Sequence, residues 1–301
     1  GLLLFLVLGF VLRLQSRGPG YCLGQYRDDS ERFTVVINTF RRPDRLKLAV
    51  AHYAQCPGVA EVRVCWSESA EAPSRATHPG LFQYTTPVIF DVHEHNSINN
   101  RFQPLGDVKT DGIFNVDDDM RVDCRSLEFA FQAWRNSQDA LVGFNPRIHS
   151  PCTSGKDCTY KYVHYWMVWW HGAYSIILTK AAFLHHKYFE MYQKELPREV
   201  WQHVHDNKNC EDIAMQFLVA HKTRRPPVWV QGKYRDSGVV DFSGGISTGS
   251  GHKAARDECL TKFAEWFGYM PLVVGNSHVQ AAGTWAPYRA PGAVWEWFHP
   301  L

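Results

Sequence analysis

Three consecutive carboxylates, Asp117, Asp118 and Asp119, follow the apolar run Ile113-Phe114-Asn115-Val116. A strand of a parallel sheet delivers its C-terminal end to the crevice where ligands bind, so acids at this point make a hard, oxygen-only site suited to Mn²⁺, with Mg²⁺ as the alternative. Such a cation neutralises a diphosphate. The competing reading is a solvated acidic turn, but three adjacent charges directly behind a buried strand call for a compensating cation. A second constellation, Cys210-Glu211-Asp212-Ile213-Ala214-Met215, opens a predicted helix behind Asn209. Acids in a first helical turn are favoured by the helix dipole, which accounts for them without any chemistry. With Asp212 turned into the crevice of the three acids, it faces a reacting carbon while Asp117 to Asp119 hold the leaving group.

Two other chemistries compete for these residues. Phosphohydrolases of the haloacid dehalogenase type also carry two acids behind a strand, the first as nucleophile, but they want Thr or Val where this chain has Arg121. A sugar-binding module would use the aromatic side chains as a platform and need no metal. The pairs His93/His95, His185/His186 and His203/His205 invite a zinc reading, yet no Cys or acid accompanies them at ligand spacing, and no cysteines form a paired CxxC.

The framework behind these residues is legible in the periodicities. At 301 residues and 45% hydrophobic, the chain can bury one large core or two modest ones, which excludes disorder. A net charge of +2, with Lys and Arg scattered among acids, excludes nucleic acid as the main partner. Short strands are predicted at 33–40, 62–66, 87–92, 111–116 and 140–144, with helices at 43–55 and 126–134 between them. This is the alternation of an α/β fold with a mainly parallel sheet and crossover helices. The stretch 150–170 breaks into an aromatic loop holding Tyr160, Tyr162, Tyr165, Trp166, Trp169 and Trp170. Most of these rings are expected in the core, with one or two free to stack on an acceptor sugar. A strand at 174–178, helices at 180–192 and 210–221, a strand at 227–232, a glycine-rich loop at 242–252 and a helix at 254–267 complete the reading. At the start, Gly1 to Leu12 is continuously apolar and closed by Arg13 and Arg17. It is shorter than the roughly 20 residues that span a bilayer, and reads as part of a membrane anchor ahead of a polar stem at 13–31 and a folded unit at 33–301.

The blocks VINTFRRPD (36–44), NNRF (99–102), FNVDDDM (114–120), VGFNPR (142–147), YSIILTKAAF (174–183), NCEDIAMQFL (209–218) and MPL (270–272) resemble, in order and spacing, the exostosin-type glycosyltransferases of family 64. WMVWWHGAYSIIL (166–178) and ISTGSGHKAARDEC (246–259) resemble the plant and algal branch, which includes a mannosyltransferase of glycosylinositol phosphorylceramides. The resemblance implies a GT-A fold, a nucleotide-sugar donor, Mn²⁺ and transfer with retention of configuration. It places Asp119 on the metal, with Asp117 beside it, and Asn38, Arg42, Asn96, Asn100, Arg101, Asp117 and Asp118 around the donor; His252, four residues before Arg256, shares that helix face by i, i+4 spacing and joins them at the phosphate. It makes Asp212 the acid beside the anomeric carbon and Arg256 the cationic residue facing the diphosphate. It also implies a Cys210–Cys259 disulfide and hence an oxidising lumen. Cys152 and Cys158 could close a small ring, while Cys56, Cys65 and Cys124 are expected as buried thiols. The implied setting is a Golgi or ER membrane, as a single-pass type II protein with a luminal catalytic domain. The implied donor is GDP-mannose or a UDP-N-acetylhexosamine, and the acceptor a glycolipid or glycan.

Overall fold

The structure is a computed structural model of the 301-residue chain, and it describes residues 31–150, 159–163, 165–238 and 252–281. The first strand, β1 (Phe33–Asn38, FTVVIN), is buried on both faces, as expected for a strand of a covered parallel sheet, with Phe33, Val35, Val36 and Ile37 supplying the apolar surface. Helix α1 (Pro43–Tyr53) follows, with Pro at its first position and Leu46, Ala49, Val50 and Tyr53 forming the buried stripe. Then come β2 (Val59–Trp66), β3 (Val88–Val92), a 3₁₀ turn at Ile98–Phe102, β4 (Gly112–Asp117), β5 (Met120–Val122) and α2 (Cys124–Arg135). The second half comprises β6 (Val142–Gly143), β7 (Pro146–Ser150), β8 (Lys161–Val163), α3 (Tyr165–His171), β9 (Ile176–Ile177), β10 (Ala181–His185), α4 (Lys187–Lys194) and α5 (Arg198–Asn207). It continues through α6 (Glu211–Thr223), β11 (Val228–Gln231), β12 (Tyr234–Asp236), α7 (His252–Phe267) and β13 (His278–Gln280).

Eight strands make one sheet in the order β13-β11-β6-β10-β4-β1-β2-β3. All its pairings are parallel except those of β10, which runs antiparallel to β4 and β6. One core cluster, with Phe33, Phe114, Phe131 and Trp134, covers one face; a larger one, with Tyr188, Tyr192, Phe217 and Phe263, covers the other. The expected mixed, mainly parallel sheet flanked by helices is therefore present.

Three local expectations are corrected, and one helix was not foreseen. The helix predicted over 180–192 begins as β10, because Ala181 to Leu184 are all buried and pair with β4; helix starts only at Lys187. The predicted loop at 150–170 contains β8 and α3, and α5 has no counterpart in the sequence reading. Cys56 and Cys124 are not thiols but a disulfide joining the end of α1 to the start of α2, 68 positions apart in the chain. Cys65 is the buried free thiol, its pKa pushed up to about 12 by burial. The segments 1–30 and 151–158, and with them the anchor, stem and Cys152/Cys158 expectations, lie outside the described residues, and no helix within the described part is long and apolar enough to cross a membrane.

Candidate active site

Registry alone brings the first residues together. Asn38, the last residue of β1, lies between Asp117 of β4 and Cys65 of β2. Beneath it Asn115, fully buried in β4, accepts a hydrogen bond from Asn38 Nδ2 at 2.9 Å. The same Asn115 oxygen accepts from Arg101 Nε at 3.2 Å and Nη2 at 2.9 Å. Arg101, on the 3₁₀ turn, is itself buried. Its guanidinium spans two acids, with Nη2 at 2.7 Å from Asp117 Oδ1 and Nη1 at 2.6 Å from Glu211 Oε1.

Glu211 and Asp212 open α6, behind Cys210 in the left-handed conformation at φ 71°. Asp212 accepts from Arg256 Nη2 at 2.5 Å, and Arg256 Nη1 reaches Asn209 Oδ1 at 3.3 Å. The Arg256 guanidinium also lies over the Tyr162 ring, 4.6 Å from its centre. The Cys210–Cys259 disulfide, present as the family resemblance implied, ties the start of α6 to α7 one turn beyond Arg256.

These charges shift one another. Burial would raise the Asp212 carboxyl, but the attraction and hydrogen bond of Arg256 outweigh it and hold the group below the usual carboxylate range. Glu211 moves the other way, to about 7, because burial and the neighbouring Asp212 charge exceed the pull of Arg101. The two neighbouring acids are thus pushed in opposite directions, Asp212 down by its Arg256 partner and Glu211 up by burial and Asp212.

The three consecutive acids separate. Asp117 faces Arg101, whereas Asp118 is fully buried, accepting from Thr39 Oγ1 at 2.7 Å and paired with Arg42 at 2.9 Å. Burial lifts Asp118 to about 7 despite Arg42 and Thr39. Its side chain is turned away from solvent onto Thr39 and Arg42 of the loop after β1. Asp119 lies 3.3 Å from Arg42 and 3.6 Å from Arg45. Its pKa is raised by burial, then by Asp117 and Asp236. Asn100 is likewise nearly buried, donating to Ser67 Oγ at 3.0 Å and the His95 carbonyl at 2.6 Å, which makes it a strut between the loops after β2 and β3. Asn96 is exposed on the loop just before that turn. His252 opens α7, but its side chain is outside the described part.

Several neighbours escaped sequence reasoning. Lys180 pairs with Asp236, and the backbone N–H of Ser237 donates to the Asp119 carbonyl at 2.9 Å. A Cβ on Gly238 would sit 2.6 Å from Asp119 Oδ2, so glycine lets the chain pass without displacing that carboxylate. The Asp-Ser-Gly turn after a strand was the available signal. The Asp117, Asp119 and Asp236 carboxylates, whose charges act on one another, offer only oxygen, the donor type a hard divalent cation takes. Of the histidine pairs, one stands in a cluster of possible ligands among the described residues. His185 and His186 do have an acid beside them, Asp111 at 3.6 Å from His186, but this lies at the far end of β4, and His185 Nδ1 accepts the Lys187 N–H at 3.1 Å.

The model of the glycosyl transferase family 64 domain matches residues 33–283. The chain belongs to glycosyl transferase family 64. Among family 64 relatives it is similar to glycosylinositol phosphorylceramide mannosyl transferase 1 of Arabidopsis thaliana, 40% identical over 250 residues, covering 80% of this chain and 74% of the relative. It is also similar to human exostosin-like 2, 30% identical over 268 residues, covering 86% and 80% of the two chains. A third relative is glucosamine inositolphosphorylceramide transferase 1 of Oryza sativa, 33% identical over 255 residues, of which this chain covers 32%. This family 64 chain is therefore a glycosyltransferase, built on a sheet consistent with the GT-A architecture.

Proposed function

We propose that the chain transfers mannose from GDP-mannose to a glycosylinositol phosphorylceramide, with a divalent cation and with retention of anomeric configuration. The observation that carries this is the Arg101 bridge, which sets Glu211, and with it the Asp212–Arg256 pair, beside the acids at the end of β4. The donor sugar is taken from the mannosyl transferase named in Arabidopsis, which shares the larger identity.

Asp119, with Asp117 beside it, would hold the cation, Mn²⁺ or Mg²⁺, which offsets the diphosphate charge. Asn38 and Arg42 line the donor side of these acids. Arg256, kept protonated by its Asp212 partner, supplies positive charge where the leaving nucleotide gains negative charge. Asp212, held ionised, faces the anomeric carbon and stabilises the positive charge that develops there. The exposed rings of Trp166 and Trp170 on α3 suit the acceptor side. The apolar run Gly1 to Leu12 would hold this domain on the luminal face of a Golgi or ER membrane, where a lipid acceptor is displayed and two disulfides are stable.

The test is donor binding and transfer by the full chain, with Mn²⁺ and with EDTA, across GDP-mannose, UDP-N-acetylglucosamine and UDP-N-acetylgalactosamine. Metal-dependent use of GDP-mannose is expected. Use of a UDP sugar would instead align the chain with the second reading, an N-acetylhexosaminyltransferase, which the glucosamine transferase relative in rice favours.

A further inference from the structure

The strand order gives the donor site a direction. Asp117 ends β4, Asn38 ends the neighbouring β1, and Cys65 near the end of β2 lies beside Asn38. Asp212 and Arg256 come from α6 and α7, which pack on β9 and β8 respectively. With the transferred sugar at Asp212 and the diphosphate at Asp117 and Asp119, ribose and base extend over the ends of β1 and β2. That edge lies about 10 Å, two strand spacings, from β4.

The edge is a built surface. Asn100 ties Ser67, just past β2, to the carbonyl of His95, past β3. Phe40, past β1, is 36% exposed. Between them stands Glu68, half-buried, whose Oε1 accepts the backbone N–H of Arg41 at 2.5 Å. Arg41 adopts the left-handed conformation at φ 54°, so this bond fixes the carboxylate against the turn that also carries Arg42. Among the described residues Glu68 has no other hydrogen bond or ion pair, which leaves Oε2 and a second lone pair of Oε1 open.

We propose that Glu68 reads the base of the donor and selects guanine; this rests on the glycosyltransferase reading and deepens it. A carboxylate is an acceptor only. Guanine presents two adjacent donors, N1–H and the N2 amino group, which two carboxylate oxygens take as a pair. Uracil presents one N3–H donor between two carbonyl oxygens, and those oxygens repel the same carboxylate. A good bidentate contact discriminates between bases by about tenfold to a hundredfold. Arg63 and Asp91, a charged pair on the neighbouring strands, satisfy one another at 2.9 and 2.5 Å, so that acid is already engaged.

The experiment is calorimetry on the full chain with Mn²⁺, using GDP, inosine diphosphate and UDP, for the unaltered protein, Glu68→Gln and Glu68→Ala. Inosine lacks the N2 amino group and so tests that contact without any substitution. The unaltered chain should bind GDP at least about tenfold more tightly than inosine diphosphate or UDP, and both variants should lose the GDP preference while UDP affinity changes by less than about threefold. A GDP to inosine diphosphate ratio near one in the unaltered chain, or a ratio unchanged by either substitution, overturns the role of Glu68 and leaves GDP-mannose as donor. A preference for UDP overturns both. Absence of binding by every nucleotide overturns the glycosyltransferase site itself.

Discussion

Arg101 donates to Glu211 at 2.6 Å although the two residues are 110 positions apart. With its other nitrogen on Asp117, Arg101 is the one cation that touches both the acids behind β4 and the acids opening α6 among the described residues. Breaking a buried ion pair by removing one partner leaves an uncompensated charge. Arg101→Ala should therefore lose about 3–5 kcal/mol of stability in urea unfolding. Arg101→Lys keeps the charge but not the planar fork, so it should remain folded while transfer falls by about a hundredfold. Full activity in the Lys variant would show that the bridge does not position Asp212.

Asp119 and Asp212 should fail in different ways. Asp119→Asn removes a carboxylate from a cluster of oxygen donors, and should abolish Mn²⁺-dependent GDP binding with little change in melting temperature. Asp212→Asn keeps a hydrogen bond to Arg256 but loses the charge. GDP affinity should change by less than about threefold while transfer drops by a hundredfold or more, a loss of about 3 kcal/mol in transition-state stabilisation. Equal losses of binding in both variants would contradict this division.

The two disulfides predict separate outcomes. Cys56–Cys124 closes a sequence separation of 68 and lies on the α1–α2 face, so replacing both with Ser should cost about 4 kcal/mol of stability, with turnover per folded molecule unchanged. Cys210–Cys259 holds the helices that carry Asp212 and Arg256. Its double Ser variant should lose stability and turnover together. Melting curves and single-turnover rates for the two variants distinguish these effects.

His149 should make stability fall in mild acid. It is 7% exposed, its Nδ1 lies 2.8 Å from the Ser175 hydroxyl, and burial lowers its pKa to about 4. The unfolded chain takes up its proton near pH 6.5, so between roughly pH 6.5 and 4 the unfolded state binds more protons. Stability is complete above pH 6.5 and declines as pH falls toward 4, by about 3 kcal/mol in all. His149→Gln should flatten that part of the curve in urea titrations taken from pH 4 to 7. An identical slope in the variant would remove His149 as the cause.

The strands β1 to β4 and helices α1 and α2 could be read from the sequence because each carries its own periodicity. The apolar run into Asp117 also announced where a parallel strand must deliver its end. The register of motifs from Asn38 to Arg256 likewise carried the family, since spacing along the chain survives without coordinates. Other features are invisible one residue at a time. β10 is a strand because its apolar residues find an open edge of β4, and the same residues satisfy a helical period equally well. The Cys56–Cys124 bond, the inward turn of Asp118 and the strut role of Asn100 all depend on what stands opposite in space.

The sequence by itself determined the types of residue available to the site and the strand that delivers three of them. Only the tertiary structure decided which acid meets which base: Asp117 with Arg101, Asp118 with Arg42, Asp212 with Arg256. The reason is physical. A helix or strand is selected by side chains within a few positions, whereas a buried charge can persist only where the whole fold brings it a partner within hydrogen-bonding distance, and that partner can lie anywhere in the chain.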